Sequence, residues 1–255
     1  MSNPDPVDEL FAVVRQLAPA QVQLLLNMAQ AMSNGLTSTI NPASDLLDTA
    51  AVATFANILL MHHANHREKF NKKGFEYAFV TAALADGKIA TLVTSTTNPG
   101  ADVLVDGVAF SLKTEAAQSI RRGYIFISKL MEARWIRECR TPEAFLQGVL
   151  QSVVPHLQQY QRILVLRAFD LATAQVQYDL VEIPRDLLLE VAGLQSADFR
   201  LHTGRSGGSH ADVMIAGRKA FTLNLEGSVE KVQIRGLDVA RCIWHGSWVV
   251  STGSR

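Results

Sequence analysis

The chain has 255 residues and a mass of 27.9 kDa, enough for one large domain or for one domain with a sizeable elaboration. With 48% hydrophobic and 19% charged residues it lies far from disordered or low-complexity composition, and 24 basic against 24 acidic side chains leave no net charge to announce a nucleic-acid or membrane partner. Only two cysteines are present, Cys139 and Cys242, far apart in sequence, which excludes a disulfide framework and a cysteine-based zinc site.

The first ten residues carry Asp5, Asp8 and Glu9 and no basic residue, unlike a secretory leader. The apolar stretch from Val22 to Met32 is interrupted by Gln23, Asn27 and Gln30, too polar to span a bilayer, so a soluble cytoplasmic protein is expected. Leu10, Val13, Val14 and Leu17, then Leu24, Leu25 and Met28, recur at helical spacing and predict two amphipathic helices broken near Pro19 and closed by Asn34-Gly35. A polar connection from Thr37 to Asp45 leads to a further helix through Leu46, Val52, Phe55 and Leu59. Residues 1–60 are accordingly expected to form a helical N-terminal part, and residues 61–255 a second domain.

A helix is predicted from near Glu68 to Ala85, ending at Asp86-Gly87. Strands follow at Ile89–Thr97, Ala101–Val105 and Val108–Thr114, the last two joined by Asp106-Gly107, a strong two-residue hairpin signal. Spacing of Ile120, Ile127, Leu130 and Met131 predicts a helix within Glu115–Cys139, and another covers Pro142–Tyr160. Arg162–Phe169 is a nearly continuous apolar run, as in a strand buried on both faces. The remainder reads as β with one short helix after Pro184, a glycine-rich loop at Thr203–Ser209 and a terminal strand bearing Trp244 and Trp248.

The segment NPGADVLVDGVAFSLKTEA holds the chemistry. If Asp106-Gly107 is the turn, Asp102 and Lys113 lie on paired strands within reach of each other. Period two sets Ser111, Lys113 and Glu115 on one strand face. Hard oxygen ligands for Mg²⁺ beside an ammonium are the parts that metal-dependent phosphodiester hydrolysis needs. Glu76, on a largely apolar helix before the strands, is a further carboxylate. The ordinary reading is a strand-starting acid, a solvated lysine and a glutamate at the edge of a wet helix face.

This order and spacing resemble the PD-(D/E)xK nuclease superfamily, and the strings NPGAD, LKTEAA, SKLME, EIPRDLLLE and VARCIWHGSW resemble the SmaI-like type II restriction endonucleases in the same order. The likeness runs from about Met61-His62-His63 to Trp248. It implies an α/β (α+β) fold with a restriction-endonuclease-like core, a central mixed sheet flanked by helices. It implies Asp102 as metal ligand, Lys113 as catalytic lysine and Glu76 as the helical acid, with Mg²⁺ as cofactor. The acid expected two residues before the lysine is replaced by Ser111, so Glu76, or Glu115 on the face of Lys113, must supply the missing charge; Glu115 otherwise reads as a first-turn acid of the next helix. The resemblance further implies cleavage of double-stranded DNA at a short G·C palindrome, CCCGGG, by a homodimer, with a DNA methyltransferase of the same system as partner.

Arg121, Arg122 and Lys129 belong to a local excess of basic residues between Ser111 and Arg140 and are placed to meet phosphates or base edges if the following helix faces the duplex; Arg205 and Ser206, in the glycine-rich loop, could fold onto DNA. That loop lacks the Lys-Ser/Thr of a nucleotide-phosphate loop. His62, His63 and His66 could be taken for a zinc cluster or a histidine–asparagine nuclease motif, but a third ligand and a flanking hairpin are lacking and a polar helix end is the better account. Two other functions remain open on sequence: a DNA-binding protein of nuclease-like fold that scarcely cleaves, given Ser111, and a structure-specific repair nuclease.

Overall fold

The computed structural model describes residues 5–33, 36–93, 100–171, 174–204 and 207–251. Two helices open it, α1 (Pro6–Val14), capped by the Asp5 carboxylate, and α2 (Pro19–Ser33). The connection expected after them is a strand, β1 (Leu36–Ile40), paired antiparallel with the last strand of the chain. Helix α3 (Thr49–Asn65) starts at an Asp48 cap, and α4 (Lys72–Ala85) at an Asn71 cap, a few residues after the predicted start. The predicted boundary at residue 60 falls inside α3. Leu46, Phe55 and Leu59 share one core with Phe75 and Phe79 of α4, so the chain from β1 onward belongs to the main body. Asn34-Gly35 lies outside the described residues.

Three short strands follow, β2 (Ala90–Leu92), β3 (Val103–Val105) and β4 (Val108–Glu115). Asp106 and Gly107 turn between β3 and β4 with φ of 48° and 80°, the positive values that a two-residue hairpin of matching twist requires and that Asp-Gly adopts readily. No helix follows β4. The segment is β5 (Tyr124–Glu132) and a 3₁₀ turn over Arg134–Arg137. Next come α5 (Pro142–Gly148), a π-helical stretch (Val149–Val153) and α6 (Val154–Gln158), then β6 (Arg162–Leu171) and β7 (Gln175–Ile183). The short α7 (Arg185–Leu189) precedes β8 (Arg200–Leu201), β9 (Gly208–Ile215), β10 (Arg218–Glu226), β11 (Lys231–Asp238) and β12 (Ile243–Ser251).

Seven strands make a mixed sheet in the order β1-β12-β7-β6-β4-β3-β2, in which β4 and β6 are parallel and the other pairs antiparallel. The other five form an antiparallel sheet, β5-β11-β10-β9-β8. Strand β6 shows why its sequence is apolar throughout: Leu164, Leu166 and Ala168 pack with α3 and α4, while Ile163 and Val165 pack on the opposite side with α5, α6 and the inner face of the five-stranded sheet. The expected mixed sheet flanked by helices is therefore present. Helix α2 packs on α3, yet neither α1 nor α2 contains a fully buried residue. Among the described residues no helix is long and apolar enough to cross a membrane.

Candidate active site

The β3–β4 hairpin brings the predicted acid and lysine to one cleft. Asp102, just before β3, is fixed through its backbone N–H, which donates to the Phe110 carbonyl at 2.8 Å. Its Oδ2 accepts the Leu112 N–H at 2.6 Å and lies 3.4 Å from Ser111 Oγ. The serine that stands where the superfamily carries an acid is thus a buried neighbour of the aspartate. Lys113 opens into a cleft of about 490 Å³ that Asp102, Lys72, Lys129 and His156 also line. Burial pushes the Lys113 ammonium down to about 8. The charges of Lys72 and Lys129 add to this and Asp102 opposes it.

Helix α4 lies beside the hairpin and supplies two side chains one turn apart. Lys72 Nζ is 2.7 Å from Asp102 Oδ1 and 3.3 Å from Glu76 Oε1, bridging the two carboxylates. Burial works against its charge, but Asp102 first and Glu76 second more than compensate and hold its pKa above the usual lysine value. Two carboxylates that draw a cation between them are a hard-oxygen donor set suited to a divalent ion, so the residues fit the metal that the family implies. Lys72 was not foreseen, although the Lys-x-x-x-Glu spacing was its available signal. His156 on α6 was also missed. It is buried, burial and the charge of Lys113 lower its pKa to about 4, and its Nε2 has no partner among the described residues.

Glu115 does not join this group. Its Oε2 is 2.6 Å from Arg167 Nε and its Oε1 accepts the Phe126 N–H at 2.9 Å, so both oxygens are engaged in a pair that is 5% exposed or less. Register explains it, because Glu115 and Arg167 are opposite each other on the parallel strands β4 and β6. The guanidinium also donates to the carbonyls of Arg121, Arg122 and Tyr124, clamping the segment that enters β5. The expectation of Glu115 as first-turn acid fails with the helix, and its occupied oxygens remove it from the ligand set.

Arg121 and Arg122 consequently sit on a loop and Lys129 on a strand. Arg122 stacks on Phe169 at 4.4 Å and donates to Gln177 at 3.2 Å. Lys129 borders the cleft and pairs with Glu132 at 2.5 Å. Arg205 and Ser206 lie outside the described residues. The histidine cluster is engaged with protein: His62 Nε2 with the Glu68 carbonyl at 2.7 Å, and His63 Nε2 with Tyr178 Oη at 2.7 Å.

A second acidic cluster, not foreseen, gathers Asp45, Glu182 and His245 with ligand-type atoms within 4.8 Å of one another. Arg162 fills it, donating to both Asp45 oxygens at 3.0 and 2.8 Å and gripping Glu182 with Nε and Nη2. His245 Nε2 lies 3.0 Å from Glu182 and its Nδ1 2.8 Å from Ser44 Oγ. Arg162 already engages both carboxylates, and the cluster reads as a structural lock between the segment after β1 and the ends of β6, β7 and β12.

The chain matches the family model described as SmaI, type II site-specific deoxyribonuclease, over residues 10–250. It is 32% identical over 249 residues to the type II restriction enzyme SmaI of Serratia marcescens, covering 94% of this chain and 96% of that enzyme. No solved structure matches it at a significant level. A match across nearly the whole chain, with an acid and a half-buried lysine sharing one cleft beside the central sheet, makes this protein a member of the SmaI family of type II site-specific deoxyribonucleases.

Proposed function

We propose that the chain is a Mg²⁺-dependent endonuclease that cuts double-stranded DNA at a short G·C palindrome, CCCGGG, leaving 5′-phosphate and 3′-hydroxyl ends. The observation that carries this reading is the bridge between Asp102 and Glu76 at the mouth of the cleft that holds Lys113. Asp102 and Glu76 would hold the ion, which when bound polarises the phosphate and acidifies a water ligand. The Leu112 N–H fixes the Asp102 carboxylate, and Lys72 offsets one of the two negative charges of the acid pair. Lys113 presents its ammonium from a poorly solvated wall, where a charge steadies a developing phosphorane far more than it would in water. Lys72 and Lys129 on the rim favour phosphate approach.

The recognition site, the metal and the site residues rest on the family and on this arrangement. A homodimer, in which a two-fold axis matches the palindrome, is supported by α1 and α2. Leu10 is 57% and Phe11 60% exposed, and with Leu24 and Leu26 they leave an apolar surface that a second copy would cover. Digestion of a mixed-sequence plasmid with and without Mg²⁺ tests the proposal. Discrete fragments ending within CCCGGG, formed only with the metal, are expected; binding without cutting, or nicking set by DNA structure, overturns it.

A further inference from the structure

On the outer face of the five-stranded sheet an arginine is held by a relay of amides. Arg235 Nε and Nη2 donate to Gln233 Oε1 at 3.2 and 2.8 Å, and the same oxygen accepts Asn224 Nδ2 at 2.9 Å. Gln233 and Asn224 are buried, whereas the Arg235 side chain is 49% exposed. A long cation usually loses rotamer freedom when it binds; here Gln233 fixes the Nε–Nη2 edge in advance, with Glu226 Oε2 3.6 Å from Nη2, and half of the side chain stays exposed.

The backbone aims it as well. Between Ile234 and Leu237 β11 advances three residues while β5 advances two, from Ile127 to Ile125, so Arg235-Gly236 forms a bulge, and Gly236 has a φ of 64° that a side chain would strain. Arg235 borders a groove of about 580 Å³ whose charged lining is Arg121, Lys219, Arg235 and Glu115, the last neutralised by Arg167. Phe126 of β5 lines this groove and the cleft of Lys113 alike, so the two adjoin. Arg235 is thus placed on the surface next to the cleft, where a polyanion held there can reach it.

We infer that Arg235 is a base-reading residue that donates a paired hydrogen bond to N7 and O6 of a guanine in the major groove, with Gln233 and Asn224 as its positioning residues. A guanidinium fork matches that edge of guanine and no other base edge. Lys219 and Arg121 contact the flanking phosphates and add affinity without sequence information. The inference rests on the site-specific DNA cleavage proposed above and names part of its reading surface.

The test measures binding of the full-length protein to a duplex containing CCCGGG and to a scrambled duplex of equal composition, in Ca²⁺ to hold back cleavage, together with cutting of both in Mg²⁺. Arg235→Ala is expected to reduce the preference for CCCGGG roughly 10- to 100-fold while binding to the scrambled duplex changes little. Arg235→Lys, which keeps the charge and loses the fork, should not restore the preference, and Gln233→Leu should lose part of it. Unfolding midpoints of all variants near that of the wild type exclude misfolding as the cause. If Arg235→Ala discriminates as the wild type does, or Arg235→Lys restores the preference, the assignment is overturned and the proposed function stands. If the wild type itself neither prefers nor cuts CCCGGG, the proposed function fails and the assignment with it.

Discussion

Two clusters of acids face a cation in this molecule, and they are built differently. Asp45 and Glu182 are gripped by the fork of Arg162, in paired geometry that leaves little for another ligand to gain. Asp102 and Glu76 share a single ammonium, Lys72, whose point charge has no comparable fork and which is 43% exposed. An arginine fork locks; a lysine can be exchanged. Composition alone does not separate the two carboxylate clusters, but the identity and exposure of the countercharge do.

The largest expected effect separates cleft from scaffold. Lys113→Ala should lower the cleavage rate by about 10²–10³-fold, measured in single turnover, with DNA binding retained. Should that variant cut at the wild-type rate, the cleft is not the catalytic one. At the other cluster, Arg162→Met should leave the Glu182 carboxylate with His245 as its remaining partner and cost about 3 kcal/mol, the low end for a broken buried pair because that contact survives and Asp45 is exposed. A calorimetric midpoint lower by roughly 6–12 °C is expected for a chain of this size. Lys72→Met removes the exchangeable cation, and the Mg²⁺ concentration at half-maximal cleavage should fall about fivefold, a screened Coulomb effect; a rise would show that Lys72 assists the metal.

The smallest effect is in the histidine of the cleft. Burial first, and the Lys113 charge second, lower the pKa of His156 to about 4. Its folded form therefore binds a proton less readily than the unfolded form. It contributes full stability above about pH 6.5, and that is lost as pH falls towards 4. In Lys113→Met the NMR titration of His156 should move up, and no movement would place the two side chains farther apart than the cleft suggests.

Much of this was legible in the chain, for physical reasons that differ by element. Strand β6 is buried on both faces and so cannot be mistaken for an amphipathic helix of its length, and Asp106-Gly107 can scarcely be anything but a tight turn. Strand β5 misled. Its buried residues Ile125 and Ile127 alternate, but a bulge before Leu130 makes the next spacing three, and three is also a helical spacing. Strand β1, LTSTI, is an edge strand whose middle residues are exposed, so it carries no apolar alternation to read.

Within the cleft, Asp102 and Lys113 were readable because one hairpin joins them. Glu115 was not, since its fate depends on Arg167, which reaches it only through the parallel register of β4 and β6. His156 depends on the same crossover. No local pattern encodes a partner that distant.

The parallel pairing of β4 with β6 also sets an order of events on the ribosome. A nascent chain ending before Arg162 already owns Asp102 and Lys113, yet Val165, which lines the cleft beside Lys113 in the parallel register, has not been made. The hairpin can close early; the chamber around it must wait for the whole excursion through β5 and α6 to return. Products truncated there thus carry Asp102, Lys113 and most of the cleft lining, but lack the strand that ties the hairpin to the rest of the sheet.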